Sequence, residues 1–143
     1  MAEGLLRDLA EKSGADIEVA SAGIGAMDGQ APSRNSVIAM DEEGIDISHQ
    51  VSQMLTPDMV GNYTHIFGMG SGHIEAIRAY FPESLEKTFI LREFVADEGY
   101  DLEVPDPIGG DLEEYQITRN LIKEAIPSIM RFITTGDPSL PRE

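Results

Sequence analysis

Asp106 stands between two prolines in the run Val104-Pro105-Asp106-Pro107-Ile108-Gly109-Gly110. A proline locks its own φ, and it also pushes the residue before it toward extended geometry. A carboxyl held this way can be presented as a proton donor to a site whose nucleophile lies elsewhere. The plainer reading is a turn residue, because Asp next to Pro commonly opens a turn. The strongest protein nucleophile is absent: the 143 residues contain no cysteine. That excludes disulfides, thiolate metal sites and thiol catalysis within these residues. Three histidines, His49, His65 and His73, are too scattered along the chain to read as a metal set. Neither a metal nor another cofactor is expected.

Composition narrows the partners. Ten basic against 26 acidic residues give a formal charge of −16, which opposes nucleic acid and anionic membrane surfaces. Acidic clusters such as Asp41-Glu42-Glu43 and Glu113-Glu114 read as a solvated surface. With 41% hydrophobic residues and no long apolar run, the chain suits one soluble domain without a membrane span. Met1 to Arg7 carries an acid and no apolar stretch fit for a signal peptide, so the expected location is the cytoplasm.

These residues need elements to hold them. Leu5, Leu6, Leu9 and Ala10 recur at helical spacing and Ser13-Gly14 stops the pattern, so the chain opens in a helix. Ile17-Glu18-Val19-Ala20 alternates as a short strand ending at Ser21-Ala22-Gly23, with a glycine-rich loop beyond it. Ser33 is placed to cap a helix containing Val37, Ile38 and Met40, with Gly44 just past its end. Ile45 and Ile47 are extended. Thr56-Pro57-Asp58 starts a helical turn, Thr64 to Met69 a strand, and Gly70 a helix with Ile74, Ile77 and Tyr80 on one side. Thr88 to Leu91 is a further strand, followed by a long acidic loop up to Asp106. The spacing of Leu112, Tyr115, Ile122, Ile126 and Ile129 predicts a final helix to about Ile133, kinked at Pro127.

Strands and helices therefore alternate, which implies an α/β fold with a parallel sheet. Residues 1–133 form the single expected domain, and 134–143 a flexible tail rich in Gly and Pro. Gly68-Met69-Gly70-Ser71-Gly72 lies where a nucleotide loop could, but it lacks Gly-x-Gly-x-x-Gly spacing and no Lys follows. It reads as a tight strand-to-helix turn.

Taken in order, several of these segments resemble the low-molecular-weight protein tyrosine phosphatase family, including its bacterial arginine phosphatase branch. The resemblance rests on Met1-Ala2-Glu3-Gly4-Leu5-Leu6, Ser21-Ala22-Gly23, Asp46-Ile47-Ser48-His49, Met69 with His73, Leu91-Arg92-Glu93-Phe94-Val95 and Asp106-Pro107-Ile108-Gly109-Gly110. It implies a three-layer fold around a four-stranded parallel sheet, and a cytoplasmic hydrolase acting on phosphotyrosine or phosphoarginine proteins. Asp106 matches the family's general acid. Ser21 and His49 resemble the hydroxyl and imidazole that support the family's phosphate loop from beneath, and Ile108 stands where relatives often carry an aromatic pocket wall.

The same resemblance defines what these residues lack. In the family the first, central strand runs into a loop of Cys, five residues and Arg, then Ser-Pro and a helix opening like Met1-Ala2-Glu3. That loop supplies the attacking thiolate and the N–H and guanidinium donors that hold the phosphoryl oxygens. Without it, the chain alone is expected to be inactive. Losing a central strand also removes hydrogen-bonded ladders whose net worth is comparable with a domain's whole stability, so an isolated monomer is expected to be marginal. A strand followed by the missing loop is expected upstream of Met1 in a longer natural protein. The competing expectation is a non-catalytic binding module that oligomerises or takes a peptide through its unpaired strands. A third, remoter one is small-anion binding at the first helix N-terminus.

Overall fold

The protein is described over residues 1–25, 27–95 and 102–137 from a computed structural model. The opening helix α1 spans Ala2–Ser13, and Gly14 closes it at φ 71°. Gly4 lets α1 lie close on the segment after the next helix: a Cβ there would sit 2.9 Å from Ile47 Cγ2 and 3.3 Å from Ile45 Cγ2. Helix α2, Arg34–Asp41, begins as expected at Ser33, whose hydroxyl accepts the Ser36 N–H. Helix α3, Pro57–Asn62, is capped in the same way by Thr56, which accepts from Met59 N–H.

Two parallel strands follow, β1 (Ile66–Gly68) and β2 (Thr88–Ile90), joined through helix α4 (Ser71–Tyr80) and a 3₁₀ turn at Pro82–Lys87. Phe67 pairs with Phe89 in register, their rings 5.9 Å apart, and the Phe89 ring in turn meets Phe132 on the last helix at 4.9 Å, edge to face. Because side chains alternate across a strand, Gly68 faces the other way. A Cβ there would lie 3.0 Å from Ile74 Cδ1 and 3.1 Å from His73 Cβ on α4. The strand pair is thus sandwiched between α4 and the final helix, a local three-layer arrangement.

That final helix, α5 (Leu112–Thr135), starts at Asp111, whose carboxylate accepts the Glu114 N–H, and ends at Gly136 in a left-handed turn. It is longer than its apolar spacing suggests. Thr134 and Thr135 still belong to it, their hydroxyls donating back to Met130 and Arg131 carbonyls. The core joins α1, α2 and α5 through Leu5, Met40, Ile47, Ile122, Ala125, Ile126 and Ile129, with Leu91 and Val104 from the segments that follow β2.

Three expectations differ from the fold. Tyr80 does not share a side with Ile74 and Ile77; it is 69% exposed. Steps of three residues fall short of a full turn, so Tyr80 is rotated by about 120° from Ile74. Strand β1 is three residues long rather than six, since only those residues have the β2 ladder beside them. Ile17 to Ala20 makes no ladder among the described residues, whose remaining strand contact is a single parallel bridge from Gly23 to Met54. Part of the acidic loop before Asp106 (96–101) and the end of the tail (138–143) lie outside the described residues.

Candidate active site

An open groove of about 630 Å³ runs between the extended segment 16–24 and the stretch from α3 through β1. Its walls include Ile17, Val19, Ser21, Ile66, Phe67 and Met69, and Ile126 and Ile129 of α5 also line it. Ala2 and Glu3, in the first turn of α1, line it as well. One edge of β1 is laddered to β2. The groove therefore lies between backbone of β1 and backbone of the 17–22 segment, bounded by a mixture of apolar side chains and polar ones such as Glu3, Ser21 and His73.

Sequence reasoning missed the network holding the 17–22 segment to α1. Ser21 Oγ donates to Glu3 Oε1 at 2.7 Å, Arg7 Nη1 donates to Glu3 Oε2 at 2.7 Å, and Arg7 also donates to the Val19 carbonyl. Gln53 donates to the Ser21 carbonyl at 2.9 Å. Burial pushes the Glu3 carboxyl up, but the hydrogen bonds from Ser21 and Arg7 outweigh it and hold the group below the usual carboxylate range. A Glu spaced four residues before an Arg on one helix face was visible in the sequence. That this pair would reach Ser21 was not.

Ser21, expected as loop support, thus has its hydroxyl proton committed to Glu3. Both oxygen lone pairs remain able to accept from another group. His49 lies exposed on the loop after buried Ile47. Beside it, Asp46 accepts the Ser48 N–H at 2.8 Å; chiefly through Ser48, and secondarily through the charge of His49, its carboxyl is held low. No hydrogen bond joins Ser21 and His49 among the described residues. His65 packs on aromatic rings, its ring edge-on to Phe132 at 5.4 Å, and burial pushes its pKa down.

Asp106 sits on an exposed loop between two fixed points. Upstream, the N–H of buried Val104 donates to the Met69 carbonyl at 2.8 Å, just beyond the C-terminal end of β1. Downstream, Gly110 N–H donates to the Pro107 carbonyl at 2.7 Å, and Asn35 reaches the Gly110 carbonyl at 3.4 Å. Between them Asp106, itself exposed, accepts the Ile108 N–H through Oδ1 at 3.0 Å, an Asx turn. Ile108 is 80% exposed. Met69 also lines the groove, so the Asp106 loop is fastened beside it through Val104, at the strand end where α/β folds place their sites; of the expected site residues only Ser21 lines the groove, and Asp106, Ile108 and His49 do not.

Among the described residues no group of His, Asp and Glu is arranged to hold a metal ion, and no helix is long and apolar enough to cross a membrane.

Comparison with known proteins adds the family. The model of the low molecular weight phosphotyrosine protein phosphatase family matches residues 1–137. A protein-arginine-phosphatase of Geobacillus stearothermophilus is 35% identical over 119 residues, covering 83% of this chain and 78% of that protein. A probable low molecular weight protein-tyrosine-phosphatase of Ralstonia solanacearum is 34% identical over 105 residues, 73% of this chain and 68% of that one. Among solved structures, the YwlE arginine phosphatase from Geobacillus stearothermophilus superimposes with a TM-score of 0.83 at 33% identity, covering 94% of this chain and 84% of the other.

Proposed function

The chain belongs to the low molecular weight phosphotyrosine protein phosphatase family, and from that premise we propose that it carries the acid-bearing portion of a protein phosphatase site. Its substrates are phosphotyrosine or phosphoarginine proteins, the two classes named in its relatives. The observation that carries this reading is the fastening of the Asp106 loop to Met69, beside a groove bounded by β1 and the 17–22 segment.

The groove supports a further step: it is the slot of the family's first, central strand, extended and parallel, which the described residues do not fill. Such a strand would deliver a cysteine and its anion-binding loop beside the α1 N-terminus and Ser21, which line the groove, with the Asp106 loop fastened next to it through Met69. The thiolate sulfur attacks phosphorus, and the bond to the leaving oxygen or nitrogen breaks as Asp106 protonates that atom. Asp106, now a carboxylate, takes a proton from water as the water oxygen attacks the phosphocysteine; phosphate leaves and the thiolate is restored. Ser21 accepts a hydrogen bond from the incoming loop while Glu3 holds its hydroxyl. His49 supports the same loop, and Ile108 forms an aliphatic wall for the substrate.

With no thiol, the 143 residues alone are expected to turn over neither an aryl phosphate nor a phosphoarginine protein. Extended at the N-terminus by a strand, Cys, five residues, Arg, Ser and Pro, the chain is expected to become active. Asp106→Ala should then slow turnover by about 10²–10⁴-fold, the usual worth of general acid–base catalysis. Turnover by the unextended chain that Asp106→Ala leaves unchanged would overturn the assignment. The comparison of the two substrates also decides between the phosphotyrosine and phosphoarginine classes.

A second reading is favoured by the same groove. An unpaired strand edge recruits another chain, so the domain without its thiol would act as a binding or oligomerisation module.

A further inference from the structure

The glycine-rich turn Gly68-Met69-Gly70-Ser71-Gly72 is not explained by the phosphatase reading, yet it has a charged occupant. The carboxylate of Glu103 lies over it. Both Glu103 oxygens accept the Ser71 N–H, at 3.0 and 3.1 Å, and Oε1 also accepts the Ser71 hydroxyl at 2.6 Å. This seat is the N-terminus of α4, whose free N–H groups and dipole favour a negative charge. Hydrogen bonding from Ser71 holds the Glu103 carboxyl below its ordinary range, with burial opposing and the charge of His73 adding to the effect.

Gly70 shows why the turn is built as it is. Its φ of −167° is extended backbone open to any residue, so conformation does not demand glycine there. The seat of Glu103 does: a Cβ at Gly70 would overlap its carboxylate, which would have to swing away. The absent side chain makes room for the anion.

Glu103 stands three residues before Asp106 and next to Val104, whose N–H is bonded to Met69. Two adjacent residues thus fasten the acid loop to the end of β1 and the start of α4, one through its backbone and one through its carboxylate. We propose that Glu103 is a positioning residue for the proton donor, clamping the 102–110 loop to the Gly70-Ser71 turn so that Asp106 is held beside the groove. The proposal rests on the reading of Asp106 as the general acid. It assigns the glycine-rich turn the task of binding an internal carboxylate, the role a phosphate would fill in a nucleotide loop.

Amide hydrogen exchange on the whole protein tests the clamp without an activity readout. Glu103→Ala removes the carboxylate, and Gly70→Ala evicts it while leaving Glu103 in the chain. Each is expected to speed exchange at Val104 and Ile108 by about tenfold, the effect of losing one charge-assisted hydrogen bond. Exchange at Ile126 and Ile129 in α5 should stay unchanged. Glu103→Gln keeps an acceptor oxygen for the Ser71 N–H and should restore Val104 and Ile108 to within about threefold of the original rates. The clamp is overturned if Glu103→Ala leaves the loop amides as they were, if it speeds the α5 amides equally, or if Glu103→Gln does not restore the loop. Failure of the general-acid reading is seen separately, as turnover by the thiol-bearing protein that Asp106→Ala does not slow.

Discussion

Side chains of one chemical type do different work here according to what they touch. Asp106 faces solvent and binds only the backbone of its own turn among the contacts described, which leaves a carboxyl oxygen for chemistry. Glu103, three residues earlier, spends both oxygens on Ser71. Glu3 spends both on Ser21 and Arg7, fastening the 17–22 segment to α1. The depressed pKa of Glu3 has a consequence for folding. A carboxyl whose folded-state pKa lies below its unfolded value, about 4.3 for Glu, contributes stability above that value and loses it as pH falls through the folded pKa. Thermal midpoints measured from about pH 5 down to pH 3 should therefore fall less steeply for Glu3→Gln than for the unaltered chain. Equal slopes would mean that the Ser21 and Arg7 bonds contribute nothing to the folded state.

At the level of elements, α5 does most of the joining. It packs on α1 and α2 through Ile122, Ala125, Ile126 and Ile129, and on the strand pair through Phe132. Arg119, buried near its middle, donates to the Ala39 carbonyl at 2.8 Å and to Glu42 at 2.9 Å, tying the end of α2 to α5. Arg92 is buried too and donates to the Leu121 carbonyl at 2.7 Å, which anchors the turn after β2 to the same helix. Chemical denaturation should resolve the two faces of α5. Ile129, 1% exposed, is expected to cost about 2–5 kcal/mol on replacement by Ala. Ile117, 52% exposed on the same helix, should change stability by no more than about 0.5 kcal/mol on the same replacement. Similar losses at both positions would contradict the packing described.

For the whole molecule the decisive feature is the groove. On one side β1 has its ladder with β2 and on the other the largely apolar groove, which under the proposed function accepts an extended segment. Sedimentation and thermal melting of the 143-residue chain should show self-association and a low midpoint. The same domain with a strand added before Met1 should be monomeric and melt higher. A monodisperse monomer whose midpoint the added strand does not raise would remove both the slot and the oligomerisation reading. The formal charge of −16 adds a constraint on the proposed function, because a phosphorylated substrate would have to reach the site against that field. Local N–H donors at helix starts are the device the fold offers for this, and at α4 that device is already taken by Glu103.

Local order was legible in the chain because it depends on near neighbours. The caps at Ser33 and Thr56, the stop at Gly14, the start of α5 after Gly110 and the buried stripe of that helix all follow from residue type and spacing, and all are present. The Pro-Asp-Pro run and the missing thiol likewise needed no coordinates. Strand extent did not follow, since a strand exists only where another lies beside it: β1 is trimmed to its ladder with β2, and Ile17 to Ala20 has alternation without a partner. Only the tertiary structure brought Glu3 to Ser21, 18 residues away, and Glu103 to Ser71, 32 residues away. Sequence spacing governs contacts within a turn or a helix face. Pairings over such separations are set by how the helices pack on the sheet.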